Sequence, residues 1–299
     1  MAALASRELK SWLAVSGRAG DVAANHKPPR GAGRQAPMKL STALAAILTV
    51  TLAGCVSVTT GETVSPAPAV HAAEATPMPP ITIYHLEGRR SERVVWLMEE
   101  LGFPYELKFV NNSLGGSLAE IRKVNPKMPT APTVIYEDQV LMESGAIIDV
   151  ILRRHAPGKL MPALDSPEYP WHQIWYQYAE GSLLPRVGTD YNVWQIKPPE
   201  RRSPLVDSEN VIRFAEDWLT THPYFGGAQF TSADIMMEFA LRYTWLLNIV
   251  DTDRYPAING WLARMHARPA YQRMVATARP NGMIGPPVPL PDEARPPPR

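Results

Sequence analysis

The sequence predicts an α/β domain followed by an all-α domain, and three observations carry the prediction. Between residues 81 and 155, short β-branched runs alternate with helical apolar patterns. Between residues 167 and 277, apolar and aromatic side chains recur almost wholly at helical spacing. On either side the chain is proline-rich and has no pattern that builds a core: of 31 prolines, five lie between Pro66 and Pro80 and eight between Pro280 and Pro298. At 299 residues, 45% of them hydrophobic, the chain is long enough for two domains with a buried core.

Charge and cysteine content remove several function classes. Residues 1–54 hold seven of the 30 basic side chains and two of the 29 acidic ones, so the body from Cys55 onward is mildly acidic. A nucleic-acid binder needs a basic stripe that displaces counterions from phosphates, and this body offers none. The single cysteine, Cys55, forbids an internal disulfide, a cysteine-built zinc cage and a Cys-x-x-Cys redox pair. No metal is expected, and any thiol that the chemistry uses has to come from a bound molecule.

The first eighty residues read as an address, not as fold. Residues 1–37 mix Gly, Ala, Arg and Pro without periodicity, as a disordered segment or an upstream extension does. Residues 38–55 read as a signal segment: Met38-Lys39, an apolar run over residues 40–53, then Gly54-Cys55. The run falls short of the roughly 20 residues that span a membrane and suits a signal-peptide core. Its end, Leu52-Ala53-Gly54-Cys55, resembles the lipobox of bacterial lipoproteins. That resemblance implies that Cys55 receives lipid and becomes the mature N-terminus, and Val56 in place of an aspartate implies the outer membrane. Acyl chains anchor at about 0.8 kcal/mol per buried CH2. The expected location is that of a membrane-anchored lipoprotein facing the periplasm, touching the membrane only through its lipid. Two alternatives stay open: a cytoplasmic protein whose translation starts near Met78, and ordinary signal-peptidase cleavage at Val70-His71-Ala72. Residues 56–80, a Pro, Ser, Thr and Ala linker, reach about 25 to 30 Å as a flexible tether.

From residue 81 the elements follow one another closely. Ile81-Thr82-Ile83-Tyr84 is β-branched and aromatic, a buried strand. Val94, Val95, Leu97, Met98 and Leu101 are spaced as a helix, with Ser91 as N-cap and Gly102 as C-cap ahead of Pro104. Residues 105–110 read as a strand, 118–124 as a short helix, 133–136 and 139–142 as a hairpin, and 145–153 as a helix. This order of strand, helix, strand, helix, strand, strand, helix is the thioredoxin-like layout.

The residues on that layout also resemble the glutathione S-transferase family. Its bacterial members commonly read Tyr-His-Leu, two variable residues, Ser-Arg-Ser and a Leu-Trp-Leu-rich helix. Here stand Tyr84-His85-Leu86, Arg90-Ser91, Arg93 and Trp96-Leu97-Met98-Glu99-Glu100-Leu101. Ala131-Pro132-Thr133 is similar to the turn holding the family's cis-proline, and residues 142–147 are similar to its glutathione-binding turn. The resemblance implies that Ala131 and Pro132 present backbone groups to the cysteinyl part of glutathione. Glu143 and Ser144 stand where a helix begins and its N–H groups point outward, so they are implied to hold the γ-glutamyl carboxylate. Taken alone, Ser144 reads equally as a plain helix cap.

The attacking species implied by the family is the glutathione thiolate, because a thiol of pKa about 8.5 is mostly protonated at neutral pH. The first Ser of Ser-Arg-Ser, the usual candidate activator, is replaced here by Arg89, preceded by Gly88. Two hydroxyls stay open as substitutes. Tyr84 matches the tyrosine that activates the thiol in other classes and reads equally as a strand-end core residue; Ser91 reads equally as a cap. Arg89 or Arg90 can stabilise the thiolate by charge or hold the glycine carboxylate.

In the second domain, Trp171, Trp175 and Tyr178 lead into residues 179–185, a string similar to the fourth helix of bacterial members. The stripe reads as core or dimer contact, or as the wall of a second-substrate pocket, the role of the equivalent helix in the family. Residues 211–221 read as a long helix, followed by a turn broken by Pro and Gly. Phe230-Thr231-Ser232-Ala233-Asp234-Ile235 is the sharpest local signal: Thr231 as N-cap, Asp234 closing a capping box, and Phe230 with Ile235 as a staple. This starts a helix through about Trp245 and is a hallmark of the family's second domain, where its role is folding. Loss of the Asp234 carboxylate is expected to cost about 1 kcal/mol or more. Residues 255–262 and 268–271 resemble the last two helices, and 278–299 reads as a solvated proline-rich tail.

The reading as a whole is a glutathione S-transferase fold that uses glutathione as co-substrate, attacks a small apolar electrophile and serves detoxification; the resemblance further implies a homodimer. Gly88 and Arg89 in place of hydroxyls keep open a non-catalytic glutathione- or ligand-binding protein. Another glutathione-dependent reaction, an isomerisation or a reductive dehalogenation, also stays open.

Overall fold

In the computed structural model the described residues are 75–197 and 207–297, all within one unit of the chain. The readings of residues 1–37, of the signal segment with Cys55 and of the linker up to residue 74 lie outside the described residues.

The β-branched runs pair into a four-stranded sheet of order β2-β1-β3-β4. Strand β1 (Ile81–Tyr84) runs parallel to β2 (Glu106–Lys108) and antiparallel to β3 (Thr133–Tyr136), which forms a hairpin with β4 (Gln139–Met142). Successive side chains leave opposite faces. Ile81, Ile83, Val134 and Tyr136 enter the main core with helices α1 (Glu92–Leu101) and α3 (Ser144–His155). Tyr84 turns to the other face and packs with Ile121 of α2 (Leu114–Val124) and with Ala131.

The starts of α2 and α1 differ from expectation for local reasons, and β2 is shorter than the expected 105–110. Helix α2 begins four residues before residue 118, because the Ser113 hydroxyl accepts from the Gly116 N–H at 3.0 Å and closes the first turn. Gly116 is needed there: a Cβ would meet Ser113 Oγ at 2.9 Å and Val110 Cβ at 3.0 Å. Helix α1 ends as its sequence says, with Gly102 at φ 68° and its N–H bonded to the Met98 carbonyl. Its beginning is different. Ser91 already has helical dihedrals, φ −61° and ψ −22°, and its hydroxyl makes no cap bond, so the N-cap reading of Ser91 is corrected.

The second half is helical throughout. Helix α4 (Tyr169–Tyr178) passes through a π-helical turn, Ala179–Leu183, into α5 (Leu184–Ile196), and α6 (Ser208–Thr221), α7 (Ser232–Leu247), α8 (Pro256–His266) and α9 (Pro269–Ala278) follow. The capping box at the start of α7 forms: Thr231 Oγ1 accepts from the Ala233 N–H at 3.3 Å, and Asp234 accepts from the Thr231 N–H at 2.9 Å. Asp234 also accepts from the Phe225 N–H at 2.9 Å and from Trp261 Nε1 at 3.0 Å, tying α7 to α8. Helix α9 packs along α1, with Trp96 and Tyr271 edge to face at 5.0 Å, and so joins the two halves.

The expectation of a solvated tail after residue 278 is corrected for the described part. Val288 accepts through its carbonyl from the Tyr191 hydroxyl at 2.6 Å, the Leu290 N–H donates to the Leu247 carbonyl at 3.0 Å, and Leu290 is buried. The chain also passes the loop after β1, where the Gly285 carbonyl accepts from Arg89 Nη2 at 2.8 Å and Met283 fills the space beside Gly88. Proline makes such a strap inexpensive to order, because its φ is already fixed and it has no N–H to satisfy.

Candidate active site

Four pieces of backbone converge on a cleft of about 180 Å³ lined by Arg90, Thr130, Ala131, Pro132, Glu143, Ser144 and Glu180. They are the start of α1, the turn before β3, the start of α3 and the π-helical turn after α4. The Ala131–Pro132 peptide is cis. At α3 the Ile147 N–H bonds to the Glu143 carbonyl, so the amides of Ser144, Gly145 and Ala146 precede the first internal bond of the helix. Together with the helix dipole these amides favour an anion. Glu143, ahead of them, adopts φ 69° and ψ 107°, a conformation that residues with a Cβ rarely hold and that clusters at ligand sites.

Charge in the cleft is organised by a residue that the sequence reading did not single out as a site residue. Arg93, on the buried side of α1, is 1% exposed. Its Nη1 donates both to Ser144 Oγ at 3.1 Å and to Glu180 Oε1 at 2.5 Å, and its Nη2 donates to the Met236 carbonyl at 2.7 Å. Arg90 Nε reaches the same Glu180 oxygen at 2.8 Å. Burial works to raise the Glu180 carboxyl, but the Arg93 and Arg90 guanidinium groups outweigh it and hold the carboxyl below its ordinary range. Arg93 and Glu180 are 87 positions apart, and no local spacing couples them. An arginine within the apolar run of α1 is the one signal that pointed to a buried partner.

The sequence-derived site residues divide into two groups. Ala131, Pro132, Glu143, Ser144 and Arg90 come together in the cleft. The candidate activators Tyr84, Ser91 and Arg89 are not among its lining residues. Tyr84 faces α2, with Lys108 Nζ 5.8 Å from its ring centre. Arg89 is turned to the C-terminal strap, and burial lowers its pKa from the ordinary value.

Ser91 is fully buried with its oxygen 2.8 Å from His85 Nδ1, and it accepts from the Leu86 N–H at 3.2 Å. His85 Nε2 lies 2.7 Å from the Ala278 carbonyl, which can only accept, so the proton sits on Nε2 and Nδ1 takes the Ser91 hydroxyl proton. Burial, partly countered by the Ala278 carbonyl, pushes the His85 pKa down to about 4 and keeps the ring neutral. The Ser91 hydroxyl is therefore spent inside the fold, which corrects its reading as a thiol activator.

The second-substrate stripe divides between core and surface. Trp175 is fully buried among Phe225, Phe214 and Trp218, with ring centres at 4.7, 4.9 and 5.6 Å. Tyr178 donates to the Val211 carbonyl at 3.2 Å, and Trp171 lies on Trp218 at 4.8 Å with its outer edge in solvent. Trp175 and Tyr178 belong to the core of the helical domain and Trp171 stays on its surface; none of the three lines the cleft. Among the described residues, no group of three or more His, Cys, Asp and Glu is arranged to hold a metal ion.

A thioredoxin-like half with a cis-proline turn, an all-helical half and a polar cleft between them define a glutathione-binding class of fold. The family models agree. The glutathione S-transferase N-terminal domain matches residues 79–153 and the glutathione S-transferase C-terminal domain matches residues 195–269. The chain belongs to the glutathione S-transferase family and is by class a glutathione transferase. It is 25% identical to glutathione S-transferase 3 of Schizosaccharomyces pombe, over 72% of this chain and 98% of that one. It is 24% identical to the disulfide-bond oxidoreductase YfcG of Escherichia coli, over 64% and 92%. Among solved structures it is similar to a theta class glutathione S-transferase of Xanthomonas axonopodis pv. citri with glutathione bound, at 28% identity and a TM-score of 0.52, over 67% and 99%. A glutathione S-transferase of Actinobacillus pleuropneumoniae matches at 26% identity and a TM-score of 0.60, over 69% and 94%.

Proposed function

We propose that the protein transfers glutathione to a small apolar electrophile. The glutathione sulfur, as thiolate, forms a bond to an electrophilic carbon, the leaving group departs with its electron pair, and the thiol proton goes to solvent. The observation that carries this reading is the convergence of the Ala131–Pro132 turn, the α3 amides with Ser144, and the Arg90 guanidinium on one cleft. The γ-glutamyl carboxylate suits the α3 amides, and the cysteinyl backbone suits Ala131. With both candidate hydroxyls turned away, the thiolate partner is Arg90, whose recorded hydrogen bond uses Nε and leaves its terminal nitrogens for the ligand.

The test is calorimetric binding of glutathione with thiolate absorbance near 240 nm followed against pH. The native protein should bind glutathione and titrate its thiol well below pH 8.5. Arg90→Gln should still bind while the thiol pKa returns toward about 8.5. An unchanged thiol pKa in Arg90→Gln removes Arg90 from the role. A second reading, a protein that holds glutathione without turning it over, is favoured by the inward orientation of Ser91; native binding with an unlowered thiol pKa decides for it.

Placement and assembly belong to the same proposal. The lipobox-like string ending at Cys55 supports an envelope lipoprotein, and the mass of the native N-terminal fragment tests it: a lipid-modified Cys55 supports the anchor, a terminus at Met78 the cytoplasmic alternative. The family resemblance supports a homodimer, for which sedimentation should return twice the mass of the mature chain.

A further inference from the structure

We propose that Arg89 selects the electrophile by charge, taking a carboxylate or another oxyanion that the second substrate carries on an apolar body. The proposal rests on the glutathione reading above and narrows its second substrate. Arg89 is the exception among the arginines gathered at the start of α1. Arg90 and Arg93 pair with Glu180, and Arg242 and Arg279 pair with Glu92. Among the described residues Arg89 has no acidic partner; its Nη1 donates to the Gly88 carbonyl at 3.3 Å and its Nη2 to the Gly285 carbonyl at 2.8 Å. A half-buried cation has lost part of its water, and two neutral carbonyls compensate only part of that loss. Glu92, the acid that bears on it, already holds Arg242 and Arg279 at 2.7 and 3.0 Å, while Arg90 and Arg242 add like charge.

A second donor stands beside it. Tyr243, one turn beyond Phe239 on α7, stacks on that ring at 5.7 Å, and the Arg90 guanidinium lies 5.4 Å from the same ring centre. The Tyr243 hydroxyl interacts electrostatically with Arg89 and, among the described residues, has no hydrogen-bond partner. Both side chains are half-buried, so each keeps part of its surface open to solvent. The C-terminal strap passes here, with its Gly285 carbonyl on Arg89 and its Val288 carbonyl on Tyr191 of α5. Arg90 also lines the cleft, so Arg89 and Tyr243 adjoin the place read above as that of the sulfur. The Tyr243 ring offers an apolar face, the guanidinium fork suits a planar carboxylate, and the phenol adds a further hydrogen bond. A site built to hydrogen-bond its substrate rejects an analogue without the acceptor, because its donors are then left unpaired.

The test gives the full-length protein glutathione and one of two aryl halides, a chlorodinitrobenzoate or its neutral carboxamide, which share ring, nitro groups and leaving group. In both, the glutathione sulfur bonds to the chlorinated carbon, chloride leaves with the C–Cl electron pair, and the thiol proton goes to solvent. The carboxylate itself is unchanged. Each kcat/KM is divided by the uncatalysed rate with glutathione, which removes the difference in intrinsic reactivity. The native protein should favour the carboxylate about tenfold or more. Arg89→Gln should bring the ratio within about twofold of unity, chiefly through KM for the carboxylate, and Arg89→Lys should restore part of it. Tyr243→Phe, which keeps the ring, should lower the ratio about threefold. Glutathione affinity by calorimetry should stay within about twofold in all three variants. A native ratio near unity, or an Arg89→Gln loss that falls equally on both halides, overturns the proposal. So does a loss of glutathione affinity in Arg89→Gln, which would give Arg89 to the tripeptide instead. If the native protein does not bind glutathione, or binds it and turns over neither halide, the transfer reading falls and takes the proposal with it.

Discussion

Helices α1 and α7 begin with the same local signal, a hydroxyl residue just ahead of an apolar periodic run, and the two hydroxyls end in different places. Thr231 caps α7 through the Ala233 N–H, and Asp234 closes the box behind it. Ser91 makes no cap bond and instead gives its proton to His85. Each hydroxyl meets a buried imidazole, so the difference lies in the backbone that carries it, helical at Ser91 and extended at Thr231. At α7 the Thr231 backbone is extended, φ −139° and ψ 177°, so its oxygen accepts from the Ala233 N–H while also lying 3.1 Å from His172 Nδ1. At α1 a buried imidazole, itself tied to the end of α9 through the Ala278 carbonyl, would be left without a donor at Nδ1. Leaving a buried acceptor unpaired costs more than leaving a helix end uncapped. A candidate catalytic hydroxyl is thereby converted into a joint between the start of the first domain and the end of the second.

Breaking the α7 side most severely should be Asp234→Ala. It leaves the Phe225 and Thr231 N–H groups and Trp261 Nε1 without their acceptor, at an expected cost of about 3 kcal/mol or more, read as a fall in denaturation midpoint at unchanged m-value. A loss below about 1 kcal/mol would return Asp234 to the rank of a plain cap.

On the α1 side, His85 predicts an acid sensitivity. Its folded pKa, about 4, lies below the unfolded value of 6.5, so the folded state binds fewer protons between those values, and stability falls as pH drops from 6.5 toward 4. The loss approaches about 3 kcal/mol at the acid end, at about 1.4 kcal/mol per pH unit. His172, also pushed down to about 4 by burial, acts in the same direction. Asp234, raised by burial to about 6 despite its hydrogen bonds, acts in the opposite one, since its folded state binds the extra proton between 3.8 and 6. The difference profile of His85→Gln against the native protein isolates the His85 share: the variant should lose less stability on acidification. Parallel profiles would remove His85 from the account.

Ser91→Ala should cost about 1 to 2 kcal/mol, because His85 Nδ1 and the Leu86 N–H both lose a partner, while the thiol pKa of bound glutathione stays where it was. A rise of that pKa would return Ser91 to the chemistry. Thr231→Ala should cost a similar amount, about 1 to 2 kcal/mol, because the Ala233 N–H and His172 Nδ1 lose a partner, with no change in glutathione affinity, measured by the same denaturation.

The turn and the helix start that line the cleft were largely legible in the sequence. Ala131-Pro132, Glu143 and Ser144 are short strings whose geometry follows from a turn and a helix start, and they meet in the cleft. The surroundings of the candidate activators were not, because Tyr84, Ser91 and Arg89 are separated by which face or partner each one takes. One strand alternation sends Tyr84 to α2, a histidine takes Ser91, and a carbonyl near the C-terminus takes Arg89. Trp175 shows the same limit on the helical side, since its spacing said only that it is buried, and the neighbouring rings decided against what.

By itself the sequence determined the order of strands and helices, the α7 capping box, the Gly102 stop and the turns that line the cleft, because each depends on residues a few positions apart. Only the tertiary structure decided that Arg93 and Glu180 meet behind Ser144, that Ser91 serves His85, and that the proline-rich end is a strap held by Tyr191, Leu247 and Arg89. The physical reason is that a buried charge or hydroxyl must find a partner wherever the fold brings one, and that partner is often far away in sequence.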